Sequence, residues 1–278
     1  MKLTVLVDNN TLIDRYLYGE PGLSFLIEDE ETKLLFDLGY SEAFLLNANK
    51  MGINLRDINY IVLSHSHLDH TWGLPHLIRY ITESKIEGLE VKRSKLLTHP
   101  DTFVSRSLDE YDEVGSFLSK DRLAKHFNLE LSKEPVWIND RLVFLGEIDR
   151  NNNFEAKEPI GKVINNGVVE DDYVIEDSAM AYKTDEGLII ITGCSHSGIC
   201  NIIEKAFEVT GEDKIRDIIG GFHLQSPSEK QLQGTIDYMK KIEPDMVHAC
   251  HCTDLKSKIA LADVVNIKEI GSGSIINY

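Results

Sequence analysis

The stretch Tyr60-Ile-Val-Leu-Ser-His65-Ser-His67-Leu-Asp69-His70-Thr-Trp-Gly73 places four candidate metal ligands within six residues, directly after an apolar run. Ile61, Val62 and Leu63 predict a buried strand, and the amphipathic run from Thr71 to Ile81, with Leu74, Leu77, Ile78 and Ile81 on one face, predicts a helix. The ligands therefore sit at a strand-to-helix corner, held by rigid elements. Imidazole nitrogens and a carboxylate oxygen are the donors that suit zinc, iron or manganese, and three histidines beside one aspartate can serve two ions. A single histidine at such a corner is commonly solvated or a helix cap; this grouping points to a metal.

The chain has 278 residues, enough to bury roughly three quarters of the surface its unfolded form exposes. No Pro-, Gly- or Ser-rich linker divides it, so a single domain over residues 1–278 is expected. Acidic residues outnumber basic ones by 46 to 29, a net charge of −17. That balance repels nucleic acid, and no basic run offsets it. No apolar stretch approaches the roughly 20 residues of a membrane span. The start, Met1-Lys-Leu-Thr-Val-Leu-Val-Asp8, turns polar too quickly for a signal peptide. A cytoplasmic protein with neither a nucleic-acid nor a membrane partner is the expectation; the oligomeric state is not legible. The four cysteines, Cys194, Cys200, Cys250 and Cys252, lie beside histidines in the last third of the chain, unlike a disulfide framework, and reduced thiols are expected. If residues 250–252 continue a strand, alternation sends Cys250 and Cys252 to the face opposite His251.

In chain order, Leu3 to Val7, Leu23 to Glu28 and Leu34 to Asp37 predict a strand meander. Ser41 is the expected N-cap of a helix that Gly52 ends. Lys95 to His99 predicts a strand. The polar segment 101–134, with helical spacing at Leu118, Leu123 and Phe127, is expected to be an insertion over the mouth of the site. Val136 to Ile138 and Leu142 to Leu145 predict a hairpin, and 149–167 a loop. A second hairpin, Ala179 to Thr184 with Leu188 to Thr192, delivers Gly193-Cys194-Ser195-His196-Ser197-Gly198. A helix over 199–209, a strand over 215–219 ending in Gly220-Gly-Phe-His223, a helix over 229–242 and a strand over 246–249 running into Cys250-His251-Cys252 complete the pattern. Strands that deposit polar groups at one end of a sheet are how open α/β folds assemble sites.

The His65-Ser-His67-Leu-Asp69-His70 motif resembles the HxHxDH signature of the metallo-β-lactamase superfamily. That resemblance implies an α/β (α+β) class, a four-layer αβ/βα sandwich carrying the helical insertion, and one or two divalent metal ions, zinc first, with iron, manganese or magnesium as alternatives. A narrower resemblance runs through Val7-Asp-Asn-Asn10, Leu35-Phe-Asp-Leu-Gly39, Thr98-His-Pro100, Thr192-Gly-Cys-Ser-His-Ser-Gly198, Gly220-Gly-Phe-His-Leu224 and His251-Cys-Thr253. Together these look like the subgroup that includes the archaeal 7,8-dihydropterin-6-methyl-4-(β-D-ribofuranosyl)-aminobenzene 5′-phosphate synthase, many of whose members are described only as metal-dependent hydrolases.

The resemblance makes His65 and His67 ligands of one metal, Asp69 and His70 ligands of the other, and His251 a further ligand of the second. The superfamily usually has another histidine near the place where this chain reads Gly146-Glu147-Ile148. His196 is the best replacement, and Cys194 stands at about the position of the bridging ligand. Glu147 is an acidic alternative for the bridge or a contact for substrate; each of these residues could equally support or pack against the ligands. His223, His99 and Arg150 are candidates for binding substrate, although either histidine could also be an ordinary core residue. Arg106, Arg150 and Lys162 are the cations expected nearest the mouth. Asp8 and Asn9 could bond a ligating histidine or simply form a turn, and Asp37 has the position of an aspartate that braces the ligand loop. Trp72 is expected in the core.

The chemistry implied is hydrolysis of an ester or phosphoester of a small, potentially phosphorylated molecule by metal-bound hydroxide, with Asp69 orienting water or carrying a proton and His223 bonding the developing oxyanion. One alternative is a transfer in which an arylamine displaces the diphosphate of a pterin substrate. Another is a sensor or redox protein holding iron, against which stands the absence of a cysteine-rich cluster module.

Overall fold

Three strands open the chain, β1 (Lys2–Val7), β2 (Ser24–Asp29) and β3 (Thr32–Phe36), joined as an antiparallel meander. Helix α1 (Ala43–Lys50) leads to β4 (Tyr60–Val62), then to the single turn α2 (Leu68–Thr71), helix α3 (Leu74–Ile86) and strand β5 (Lys95–Thr98). Strand β6 (Ser105–Ser107), the short helix α4 (Lys120–Leu123) and strand β7 (Asn128–Leu131) follow. Next come β8 (Val136–Trp137), β9 (Leu142–Phe144), β10 (Lys162–Asn165), β11 (Val168–Asp171), β12 (Ala179–Thr184) and β13 (Gly187–Thr192). Helix α5 (Ile199–Thr210), β14 (Ile215–Gly220), α6 (Glu229–Ile242), β15 (Met246–Ala249), α7 (Leu255–Ala262) and β16 (Ile275–Asn277) end the chain. These elements are those of a computed structural model that describes residues 1–108, 112–165 and 167–278.

The elements divide into two units, residues 1–131, 161–170 and 271–278 in the first, and 132–160 and 171–270 in the second. The first holds a seven-stranded sheet in the order β16-β1-β2-β3-β4-β5-β7 and a three-stranded sheet in the order β11-β10-β6. Its core joins Leu6, Leu26, Leu35, Ile61 and Leu96 of the large sheet to Phe44 and Ala48 of α1 and to Leu74, Leu77 and Ile81 of α3. The spacing of those helical residues is that of one helix face, and each buried side chain of this size contributes about 1.5–3 kcal/mol. The second unit holds a six-stranded sheet in the order β15-β14-β13-β12-β9-β8. Its core packs Leu188, Ile190, Ile218 and Val247 against Ile199, Ile202, Ile203 and Ala206 of α5, Met239 of α6 and Leu261 of α7.

Several expectations change in the structure. The helix expected over 71–81 is two helices, because the Gly73 N–H turns away to the Gly39 carbonyl at 3.2 Å; Gly73 also passes the Leu38 carbonyl so closely that a Cβ would lie 2.1 Å from its oxygen. Among its described residues the segment 101–134 contains one four-residue α-helix and most of the 3-10 turn Pro100–Phe103. It also adds β7, which pairs in parallel with β5 as the sheet's last strand. The run 149–167, expected as loop, includes β10, which takes its partner from the distant β6 through Val163↔Arg106. Helix α7 and β16 were not anticipated, since α7 has a mixed face and β16 finds its partner in β1 at the other end of the chain. Among the described residues no helix is long and apolar enough to cross a membrane.

The close approach at Gly73 is a constraint of volume, since its φ of −67° suits any residue. Gly73→Ala is expected to destabilise the protein by about 2–3 kcal/mol, seen as a lower thermal or urea midpoint. A wild-type midpoint would show that the Leu38 contact yields freely.

Candidate metal centre

In the first unit, β3, β4 and β5 run parallel and in register, Phe36 beside Val62 and Val62 beside Leu97. Their C-terminal ends therefore deliver Asp37, the Ser64-His65 corner and His99 at one edge of the sheet. Asp37 is fully buried with φ of +55°, a conformation that aspartate tolerates better than most residues. Its Oδ1 accepts from the Ser64 N–H at 2.8 Å, and its Oδ2 lies 2.7 Å from both the Ser64 hydroxyl and His70 Nδ1. The Ser64 hydroxyl, donating to Asp37, accepts in turn from His65 Nδ1 at 2.9 Å. This network assigns the proton of both His65 and His70 to Nδ1 and leaves both Nε2 lone pairs free of it.

Those lone pairs meet other donors. His65 Nε2 lies 3.1 Å from His67 Nδ1, and His70 Nε2 lies 3.6 Å from Asp69 Oδ2. Two ring nitrogens so close share either a proton or a cation. Imidazoles on a tetrahedral zinc, with bonds of about 2.0–2.1 Å, stand roughly 3.3 Å apart, so the His65–His67 spacing fits a shared ion. His65 and His70 are fully buried, while Asp69 and His67 are partly exposed. A ligand histidine tied through its other nitrogen to a carboxylate is a recurring feature of metal sites.

In the second unit, β13, β14 and β15 are likewise parallel. Each ends in a tight turn with a non-glycine residue at positive φ: Ser195 at +60°, His223 at +49° and His251 at +51°. Backbone in this region costs of order 1–3 kcal/mol per residue and persists where surrounding bonds over-determine it. Those bonds are present. The Ser195 hydroxyl donates to the Gly221 carbonyl at 2.6 Å, Gly221 N to the Gly193 carbonyl at 2.9 Å, and Cys250 N to the Gly220 carbonyl at 2.9 Å. The buried Asp177 accepts from both the Ser197 N–H and hydroxyl, which fixes the turn after His196.

The three turns bring Cys194, His196, His223, His251 and Cys252 together. His251 Nε2 is 3.1 Å from Cys194 Sγ, and the His196 and His223 rings meet at a tilt of 52° with centroids 4.3 Å apart. Burial opposes ionisation of the Cys252 thiol, but hydrogen bonds with Cys194 and His223 and the nearby His251 outweigh it and hold the thiol well below its usual range. Residues 250–252 form a turn, so the expected alternation does not apply. Cys252 Sγ bonds the Cys194 carbonyl and the His223 N–H among the site residues of this unit.

The other expected residues fall differently. His99 caps a short helix, its Nδ1 accepting from Asp101 N at 3.1 Å. Glu147 pairs with Lys133 at 3.2 Å. Arg150 donates to the Val174 carbonyl, and burial lowers its pKa against the pull of Asp177, Glu176 and Asp172. Arg106 donates to the Asp101 and Val104 carbonyls, so its guanidinium is engaged in holding its own loop. Asp8 accepts from Asn10 N at 3.0 Å, the bond of a turn, and Asn9 Oδ1 from Gly22 N at 3.4 Å, which ties that turn to the chain just before β2. Trp72 is only partly buried, stacked between Tyr40 and Phe117. Ser64, the relay between Asp37 and His65, was missed because a lone serine carries no signal in the sequence.

The sequence model of the metallo-beta-lactamase superfamily matches residues 17–251. Over its full length the chain is 30% identical to the 7,8-dihydropterin-6-methyl-4-(beta-D-ribofuranosyl)-aminobenzene-5′-phosphate synthase of Methanocaldococcus jannaschii, covering 97% of that protein. It is also 30% identical to the uncharacterized protein MJ0448 of the same organism, with 99% of each chain covered. Among solved structures it resembles Tm1679, described as a metal-dependent hydrolase of the beta-lactamase superfamily, with a TM-score of 0.84 and 25% identity over 100% of this chain and 99% of that one.

Asp37→Asn keeps the side-chain shape and tolerates the positive φ, but lacks the charge that orients His70 and, through Ser64, His65. It is expected to weaken metal retention by about 10–100-fold with unchanged circular dichroism, measured by competition with a chelating indicator. Retention equal to wild type would remove Asp37 from this role.

Proposed function

We propose a divalent-metal-dependent reaction for this chain, which belongs to the metallo-β-lactamase superfamily: hydrolysis of an ester or phosphoester bond in a small molecule. The observation that carries this reading is the donor set. In the first unit His65, His67, Asp69 and His70 bring ring nitrogens and a carboxylate oxygen together, and in the second Cys194, His196 and His251 gather at the strand tips. Imidazoles with one carboxylate and one thiolate favour a borderline ion, zinc first and iron or manganese next, over magnesium, which prefers oxygen donors. A purely structural zinc site would be closed with thiolates, whereas this set is mostly imidazole and carboxylate.

When bound, such ions polarise a carbonyl or phosphoryl oxygen and make water a nucleophile near neutral pH. The residues of the chain do the remainder. Asp69 takes the proton of the attacking water, and His223 donates to the oxygen on which charge develops. In this reading residues 1–278 act as one catalytic domain.

A second reading is the two-substrate transfer, favoured by the full-length identity to the synthase. The same identity to a protein of uncharacterized function leaves that likeness unable to choose the reaction. The two differ in their products, because hydrolysis incorporates water and the transfer joins two organic substrates.

Purified without chelator, the protein is expected to carry one or two equivalents of metal by elemental analysis. A screen of phosphodiesters, esters and lactones in isotopically labelled water, run beside a pterin diphosphate with an arylamine, separates hydrolysis from transfer. His65→Ala should lower the activity found by roughly a hundredfold or more. A protein devoid of metal, or a His65→Ala variant as active as wild type, would sink the metal-dependent reading.

A further inference from the structure

Beside the strand tips of the second unit lies a cavity of about 460 Å³, with Ser195, His196 and His223 in its lining. Its size is within the range of about 300–1,000 Å³ usual for small-molecule sites. Two lysines, Lys157 and Lys230, line it against one carboxylate, Glu158. In a chain of net charge −17 this is a local reversal of sign. Ser226, Ser228, Gln225 and Gln231 add neutral donors.

The cavity is bounded by fixed chain. The Glu155 carboxylate, buried within the segment 153–160, accepts from Cys200 N at 3.1 Å and Asn201 N at 3.3 Å, pinning that segment to the first turn of α5. Next to it, Phe154 packs on α6 at Gly234, where a Cβ would come within 2.5 Å of the ring. Lys230 Nζ donates to the Asn153 carbonyl at 2.6 Å, tying α6 to the same segment. A cavity held at three points is pre-organised, and a ligand entering it need not order the walls.

We propose that this cavity binds the phosphoryl group of the substrate, and that the substrate is therefore a phosphorylated small molecule whose reacting bond lies toward His196 and His223. The proposal rests on the reading of those histidines as part of the reactive centre. Two ammonium groups with hydroxyl and amide donors match the several acceptor oxygens of a phosphate dianion better than the two of a carboxylate. Lys157 and Lys230 are positioning and specificity residues in this account, apart from the metal ligands.

Calorimetric titration of the full-length protein with inorganic phosphate, and separately with acetate, tests this. Phosphate is expected to bind and acetate to bind at least tenfold more weakly, about 1.4 kcal/mol. Lys157→Gln/Lys230→Gln should raise the phosphate Kd by roughly tenfold or more, while Lys240→Gln/Lys241→Gln, with the same loss of charge at the other end of α6, should change it by less than about twofold. Each lysine changed alone gives a smaller rise, which keeps the test valid if the double variant fails to fold. Metal content is measured on every sample. Phosphate binding that ignores Lys157 and Lys230 but is lost in His65→Ala belongs to the metal and overturns the proposal, as does a wild-type protein that binds no phosphate. Binding that follows the two lysines in protein free of metal upholds the cavity while the metal-dependent reading falls.

Discussion

One buried carboxylate organises the first set of candidate ligands. Asp37, at the end of β3, accepts from a backbone amide and a serine hydroxyl at residue 64 and from the ring of His70. Each of those donors, if left unsatisfied, would cost about 1–3 kcal/mol, so the corner carrying His65 to His70 has one low-energy arrangement. That arrangement orients two imidazoles with the same tautomer. The protein thus fixes which nitrogen faces the ligand position before any ligand arrives, which is what pre-organisation means at a metal site.

The second unit reaches a similar end by different means. Among the described residues no single carboxylate serves as hub; three parallel strands each stop in a turn at positive φ, and backbone and hydroxyl bonds between neighbouring turns hold them there. Asp177 plays a supporting part at one turn, fully buried, with burial pushing its carboxyl upward against the bonds from Ser197. Strain stored at strand tips is tolerable because the strands behind them are among the most deeply buried in the chain, Ile189, Ile190, Ile191, Ile218 and Ile219 all being inaccessible to solvent. The core in effect carries the cost of holding His223 and His251 in place.

The scaffold and the chemistry have separate origins here. Membership of the superfamily speaks for the fold, a frame that supports many reactions. What would distinguish one substrate from another is the irregular segment 153–160, between β9 and β10, together with the approach to α6, which line the cavity beside His196. Loops placed over a rigid frame are where such discrimination usually resides.

The order of elements and the candidate ligands were legible in the sequence because both are local. A run such as Ile61-Val-Leu63 announces a strand, the spacing of Leu74, Leu77 and Ile81 announces a helix face, and histidines two and three residues apart announce a donor cluster. The hairpin of β12 and β13 and the bounds of α6 and β15 follow from the same short-range patterns. What no local pattern could state were the pairings across long separations: β10 on β6, β16 on β1, and the break at Gly73, whose N–H turns to the Gly39 carbonyl. The same holds for the site. Residue types named the donors, but only the folded chain decided that Ser64 links His65 to Asp37, that Arg106 and Arg150 spend their charge on nearby backbone, and that Lys157 and Lys230, far apart along the chain, line one cavity. Hydrogen bonds and sterics act through space, and the sequence records only the groups able to take part in them.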